Sequence, residues 1–271
     1  MCAARPRLII PGTDDIFPEG FKGCLSVEGR KPGIGFSAAI NAQRLRKELS
    51  TVNKIVLSDG HTDHTGGLVA ILNQIRKPVE IIAHPEIWAL KYAKLPNRPE
   101  RYAGMPFRAE VLESMGASFN LTTEPVKITD SIMTIGEIEM QTSYEKIPGH
   151  LFIKRNGKLQ PDNVPEDQAL IINTDEGLVV ITGCAHRGII NILRHVQKIT
   201  GVERIHIVIG GTHLMRISGE GLESTINDLK AFDLQRLGVS HCTGDLPAAR
   251  LAHEFGELFF LNKAGTSLVL D

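Results

Sequence analysis

Six residues, Asp59-Gly60-His61-Thr62-Asp63-His64, follow directly on the apolar run Ile55-Val56-Leu57, and Gly66-Gly67 come just after them. The apolar run reads as a strand buried on both faces, the habit of parallel sheets covered by helices. The glycines open a helix with Leu68, Ile71, Leu72 and Ile75 on one stripe. Two aspartates and two histidines therefore sit on a short turn at a strand's C-terminal end, where α/β sheets place their ligands. Alternate residues of such a turn can face one cavity. Asp59 and His61 can serve one ion, and Asp63 and His64 a second beside it. Imidazole and carboxylate donors suit zinc, iron(II) or manganese.

Strand and helix patterns alternate along the rest of the chain. Helices are expected over 38–49, with Ile40, Leu45 and Leu49 as apolar positions, and over 66–76 and 108–115. A helical stretch is expected over 86–95. Strands are expected over 52–58 and 79–83, with short ones from 118 to 141. Residues 143–167 are rich in Pro and Gly and read as a long loop, either a lid or a plain surface excursion. Strands 169–173 and 178–182 flank Thr174-Asp175-Glu176-Gly177, a hairpin signal. Helix 188–199, strand 205–209, helix 222–232, strand 238–241, helix 247–255 and two C-terminal strands complete the series. Residues 1–37 show no clear period and are expected to be irregular, with room for an edge strand at 24–27. One α/β domain over residues 1–271 is the economical reading.

The chain has 271 residues, enough to bury a large core. Its 30 basic and 31 acidic residues nearly balance, so no basic face for nucleic acid is implied. Cys2, Cys24, Cys184 and Cys242 are far apart with no CxxC pair, which fits a reducing compartment. No apolar run approaches membrane-spanning length, so a soluble cytoplasmic protein is expected.

Three later strands also end in a His after small residues: Gly183-Cys184-Ala185-His186, Gly210-Gly211-Thr212-His213 and Ser240-His241-Cys242-Thr243-Gly244. A solitary strand-end His is more often a satisfied polar residue than a ligand. Beside the first turn, His186 and His241 are read as metal ligands, and His213 as a ligand or a donor to substrate. His150, after Pro148-Gly149, competes with His186. His195 and His206 fall within a helix and a strand and are read as structural, while His84 is read as core or surface. His253-Glu254 lacks the second His of a metalloprotease helix.

Taken together, these segments resemble the metallo-β-lactamase superfamily, whose hallmark is His-x-His-x-Asp-His after a strand. Here Asp59 stands at the first His. Ala83-His84-Pro85, Asp167-Gln168-Ala169-Leu170, the Cys184 and His213 turns and His241-Cys242-Thr243-Gly244 are similar to the branch of dihydropterin-ribofuranosylaminobenzene phosphate synthases. The resemblance implies a four-layer αβ/βα sandwich with a two-metal cleft. It implies two divalent ions, zinc first and manganese or iron next, and a small anionic substrate. Asp59 and His61, helped by His186, would bind one ion. Asp63, His64 and His241 would bind the other, with Cys184 where relatives carry a bridging Asp. Asp63 and His213 would act on the substrate.

The leading expectation is a metal-dependent enzyme that hydrolyses or transfers a phosphorylated or anionic small molecule, with two ions about 3.5–4 Å apart. The helix 188–199 N-terminus and Arg187 or Arg216 are candidate phosphate contacts. The closer resemblance implies a carbon–nitrogen condensation of a pterin instead. A non-catalytic metal or ligand sensor is the rival class, motivated by Asp59 and by Pro32-Gly33-Ile34-Gly35-Phe36 standing where relatives carry an Asp-Thr-Gly turn. A di-iron oxidoreductase fits less well, because the chain has no room for a flavin domain.

Overall fold

A computed structural model of the chain describes residues 8–9, 37–268 and 270. The expected edge strand at 24–27 lies outside them, as do residues 1–7 and 10–36. In chain order the elements are β1 (Leu8–Ile9), α1 (Ser37–Arg44), β2 (Lys54–Val56), α2 (Thr62–Thr65), α3 (Leu68–Ile75) and β3 (Val79–Ala83). Next come β4 (Lys91–Ala93), β5 (Arg101–Tyr102), α4 (Ala109–Ser114), β6 (Ala117–Leu121), β7 (Ile132–Thr134), β8 (Leu151–Arg155) and β9 (Lys158–Pro161). The last third holds β10 (Ala169–Thr174), β11 (Gly177–Thr182), α5 (Ile189–Thr200), β12 (Ile205–Gly211), α6 (Gly219–Ala231), β13 (Arg236–Ser240), α7 (Asp245–Phe255) and β14 (Phe259–Leu261).

The chain divides into two compact units. The first comprises Met1–Thr122, His150–Asp162 and Lys263–Leu270. One four-stranded sheet runs β1-β2-β3-β6, all parallel, and Ile55, Leu57, Leu68, Leu72, Ile81 and Leu112 fill its core. A second, antiparallel sheet runs β5-β4-β8-β9. Three expectations change here. Helix α1 stops at Arg44, and Arg46 takes a left-handed backbone (φ 53°), so Ala39 and Ala42 face the core while Ile40 is exposed. The stretch expected to be helical over 86–95 is a 3-10 turn, Pro85–Trp88, followed by strand β4. Pro85 removes one amide donor, and pairing of Lys91, Tyr92 and Ala93 with β8 takes the backbone groups a helix would have used. The loop expected over 143–167 contains the β8–β9 hairpin, turned at Asn156-Gly157, both with positive φ.

The second unit comprises Thr123–Gly149 and Asn163–Asn262. Its sheet runs β14-β13-β12-β11-β10-β7, with β11 to β14 mutually parallel and β10 antiparallel to both its neighbours, β11 and β7. The hairpin expected at Thr174-Asp175-Glu176-Gly177 joins β10 to β11 in register. All six residues of β11 are buried. Helix α5 lays Ile189, Ile192, Leu193 and Val196 into the core with Val180, Val208 and Leu237, as its 3.6-residue period requires. One C-terminal strand, β14, is present among the described residues, where two were expected.

Candidate metal centre

In the first unit the chain leaves β2 through Leu57 and Ser58, both buried, and turns at Asp59. His61 caps α2 with extended backbone (φ −72°, ψ 152°), and Asp59 Oδ1 accepts its N–H at 2.8 Å. The same oxygen lies 3.0 Å from His61 Nδ1, and Oδ2 lies 3.4 Å from His64 Nε2. Ser58 Oγ stands 3.0 Å from His64 Nδ1, which turns the opposite ring nitrogen toward the carboxylates. Asp63 Oδ2 lies 3.8 Å from His64 Nε2, on a side chain 38% exposed. Asp59 thus reaches both imidazoles, a closer linkage than the two separate pairs expected from alternation.

Asp59 is 0% exposed, and His61 and His64 are nearly so. A carboxylate at that depth is costly unless charge or hydrogen bonds compensate it. A fully buried carboxylate between two imidazoles is a donor set that fits a divalent cation. Neighbours hold the turn in place. Thr62 donates its N–H to Ala103 O at 2.8 Å and its hydroxyl to Gly104 O at 2.6 Å, and Thr65 Oγ1 donates to His61 O at 2.9 Å. A β-carbon on Gly60 would lie 3.0 Å from both Ile87 O and Lys91 Cε, so the turn sits directly on that backbone.

In the second unit three neighbouring parallel strands end in turns at the same edge. Cys184 and His186 follow β11, His213 follows β12 and His241 follows β13. Ala185, His213 and His241 all have left-handed backbone, with φ of 56°, 51° and 50°. That conformation costs a non-glycine residue roughly 1–3 kcal/mol and concentrates at functional turns. The His186 and His213 rings stand 4.4 Å apart, and ligand atoms of Cys184 and His241 lie within 4.8 Å of one another. Cys242 Sγ accepts the His213 N–H at 3.3 Å and donates to Cys184 O at 3.2 Å. Thr212 Oγ1 donates to Thr243 Oγ1 at 2.9 Å. The strand ends approach so closely that a β-carbon on Gly211 would meet Gly183 O at 2.4 Å.

The N-terminus of α5, a candidate anion site from sequence, already carries a carboxylate. Glu145 accepts the N–H groups of Ile190 and Asn191, each at 2.9 Å, and the Thr142 hydroxyl at 3.1 Å. Burial pushes its carboxyl above the ordinary value, while those hydrogen bonds pull the other way. Two of the N–H groups at this helix start are thus already taken by a side chain. Tyr144 beside it donates to Asp228 at 2.6 Å. Arg187 donates to Asn163 O at 3.2 Å, and its backbone N–H to Asp167 at 2.8 Å. Arg216 is exposed on the turn after His213.

His195 Nε2 is 2.9 Å from Ile135 O and His206 Nε2 is 3.2 Å from Glu176. His84 accepts the Glu86 N–H at 3.0 Å. His150 is half-buried at the start of β8, in the same unit as Asp59. Sequence reasoning missed Ser58, Glu145 and the buried Lys91–Asp162 pair, because none carries a motif or a period.

A model of the metallo-beta-lactamase superfamily matches residues 32–196. The chain belongs to the metallo-beta-lactamase superfamily. It is 34% identical over 228 residues to 7,8-dihydropterin-6-methyl-4-(beta-D-ribofuranosyl)-aminobenzene-5'-phosphate synthase of Methanocaldococcus jannaschii, covering 83% of this chain and 78% of the synthase. An uncharacterized protein of the same organism is 29% identical over 83% of this chain and 84% of its own length. Among solved structures, a metal-dependent hydrolase of the beta-lactamase superfamily matches with a TM-score of 0.75 and 28% identity, over 87% of this chain and 85% of the hydrolase. The α/β fold is that of this superfamily. No helix among the described residues is long and apolar enough to cross a membrane.

Proposed function

We propose that the chain is a metal-dependent enzyme joining two phosphorylated small molecules, a dihydropterin pyrophosphate and a ribofuranosylaminobenzene phosphate, through a carbon–nitrogen bond. The observation that carries this reading is the 34% identity to the synthase across most of both chains. Residues 1–271 act as one functional domain. The proposed ligands of two divalent ions are Asp59, His61, Asp63 and His64 in the first unit and Cys184, His186 and His241 in the second, as the resemblance to the superfamily implies. His186 is preferred to His150 because it is buried and stands in the strand-end cluster with His213. Zinc suits the imidazole and thiolate donors, and the two aspartates also admit manganese or iron(II).

When bound, the ions supply Lewis-acid charge for an anionic leaving group. The chain's own residues do the rest. His213 accepts the proton that the arylamine loses as its nitrogen attacks the pterin methylene and pyrophosphate departs. Asp63, part-exposed at the turn, orients the amine, and Arg216 meets the phosphate.

The test is to incubate the metal-loaded protein with both substrates and look for coupled product and pyrophosphate. Product formation is expected. Hydrolysis of a phosphoester or lactone without coupling would instead favour a hydrolase, the reading supported by the 28%-identical hydrolase structure. Metal binding without turnover of either kind would contradict an enzyme and favour a sensor.

A further inference from the structure

We propose that Lys91 and Asp162 are positioning residues that hold the 59–64 turn in the shape that receives metal; this rests on the reading of that turn as a metal site. Lys91 opens β4 and Asp162 follows β9, with Nζ 2.8 Å from Oδ2 and both side chains 1% exposed. Two charges at that depth incur a desolvation cost that their attraction seldom recovers as stability, and apolar residues of similar volume often hold a fold as well or better. Stability alone leaves the pair unexplained. Its location supplies a reason.

The Lys91 stem passes beneath Gly60, where Cε occupies the space next to a would-be β-carbon. The ammonium one bond further on is pinned by Asp162, itself placed by its N–H on Leu151 O at 3.0 Å. Lys91 also reaches the turn by a second route. Its carbonyl accepts the Ala103 N–H at 2.9 Å, and the Ala103 carbonyl accepts the Thr62 N–H at 2.8 Å. Gly60 and Thr62 flank His61 and lie between Asp59 and Asp63. A displaced Lys91 therefore moves the donor residues on both sides.

The test uses the full chain, stripped of metal, with zinc affinity read by competition against a chromophoric chelator and stability by the thermal midpoint. The double variant Lys91→Met/Asp162→Leu should keep a midpoint close to wild type. It should bind zinc about 10–100-fold more weakly, the scale of losing a partner that orients a ligand. A pair serving stability alone gives the reverse, a lowered midpoint with unchanged affinity, and that result overturns the proposal. Should the double variant not fold, Asp162→Asn, which keeps the shape, carries the same comparison: weaker zinc binding with a retained circular dichroism spectrum supports the proposal, and unchanged affinity overturns it. Wild-type protein that binds no zinc refutes the metal reading of the turn itself, whereas wild-type binding with unchanged variants refutes only the role of the pair.

Discussion

Asp59 Oδ2 lies 3.4 Å from His64 Nε2, while Oδ1 of the same carboxylate accepts the His61 N–H at 2.8 Å. One side chain thus sets the spacing of two imidazoles, from a fully buried position. Asp59→Asn keeps the shape but removes the charge, leaving one neutral acceptor oxygen where the carboxylate offered two anionic ones. Zinc affinity should fall by at least about tenfold, the lower end for loss of a metal-site partner. Calorimetric titration with zinc checks this, and an unchanged affinity would remove Asp59 from the ligand set.

Gly60→Ala puts a β-carbon 3.0 Å from the Ile87 carbonyl oxygen and Lys91 Cε. The backbone oxygen has little freedom to withdraw, so the turn must rise. A loss of about 1–3 kcal/mol in chemical denaturation is expected, the usual cost of overpacking, together with weaker metal binding.

Leu193 is 0% exposed in the core between α5 and the β11–β12 strands. Leu193→Ala should cost about 2–5 kcal/mol of unfolding free energy. Metal stoichiometry at a temperature where the variant is folded should not change.

Glu145 ties residues 142–145 to the start of α5. Burial raises its pKa in the folded state, so the folded protein holds that proton more tightly than the unfolded chain does. The resulting stabilisation is full below the ordinary carboxylate value of 4.5 and is lost as pH rises through the raised folded value. The thermal midpoint of wild type relative to Glu145→Gln should therefore be more favourable at acidic than at alkaline pH. A difference that is independent of pH, or of opposite sign, would contradict it.

The parts that were legible in the sequence are those where local pattern and tertiary demand coincide. Ile55-Val56-Leu57 leads into a metal-capable turn, β10 and β11 pair across the Asp175–Gly177 turn region, and α5 follows its apolar stripe. Residues 86–95 were illegible because pairing with β5 and β8 overrode an ambiguous apolar pattern. The same misreading hid Lys91, since a lysine on a helix reads as a solvated face, whereas at the start of β4 it points inward to Asp162. Glu145 was hidden for a related reason: it lies more than 40 residues from the helix it caps, and capping signals are readable only when local. The strand-end histidines were legible as a recurrence, but the left-handed backbone of His213 and His241 was not, because glycine and asparagine are the residues that advertise it.

The most direct measurement is metal content per chain, by elemental analysis of protein purified without chelator or affinity metal. About two equivalents are expected, falling in both His61→Ala and His241→Ala. No metal, or a content that both substitutions leave unchanged, would contradict a metal centre built from these turns.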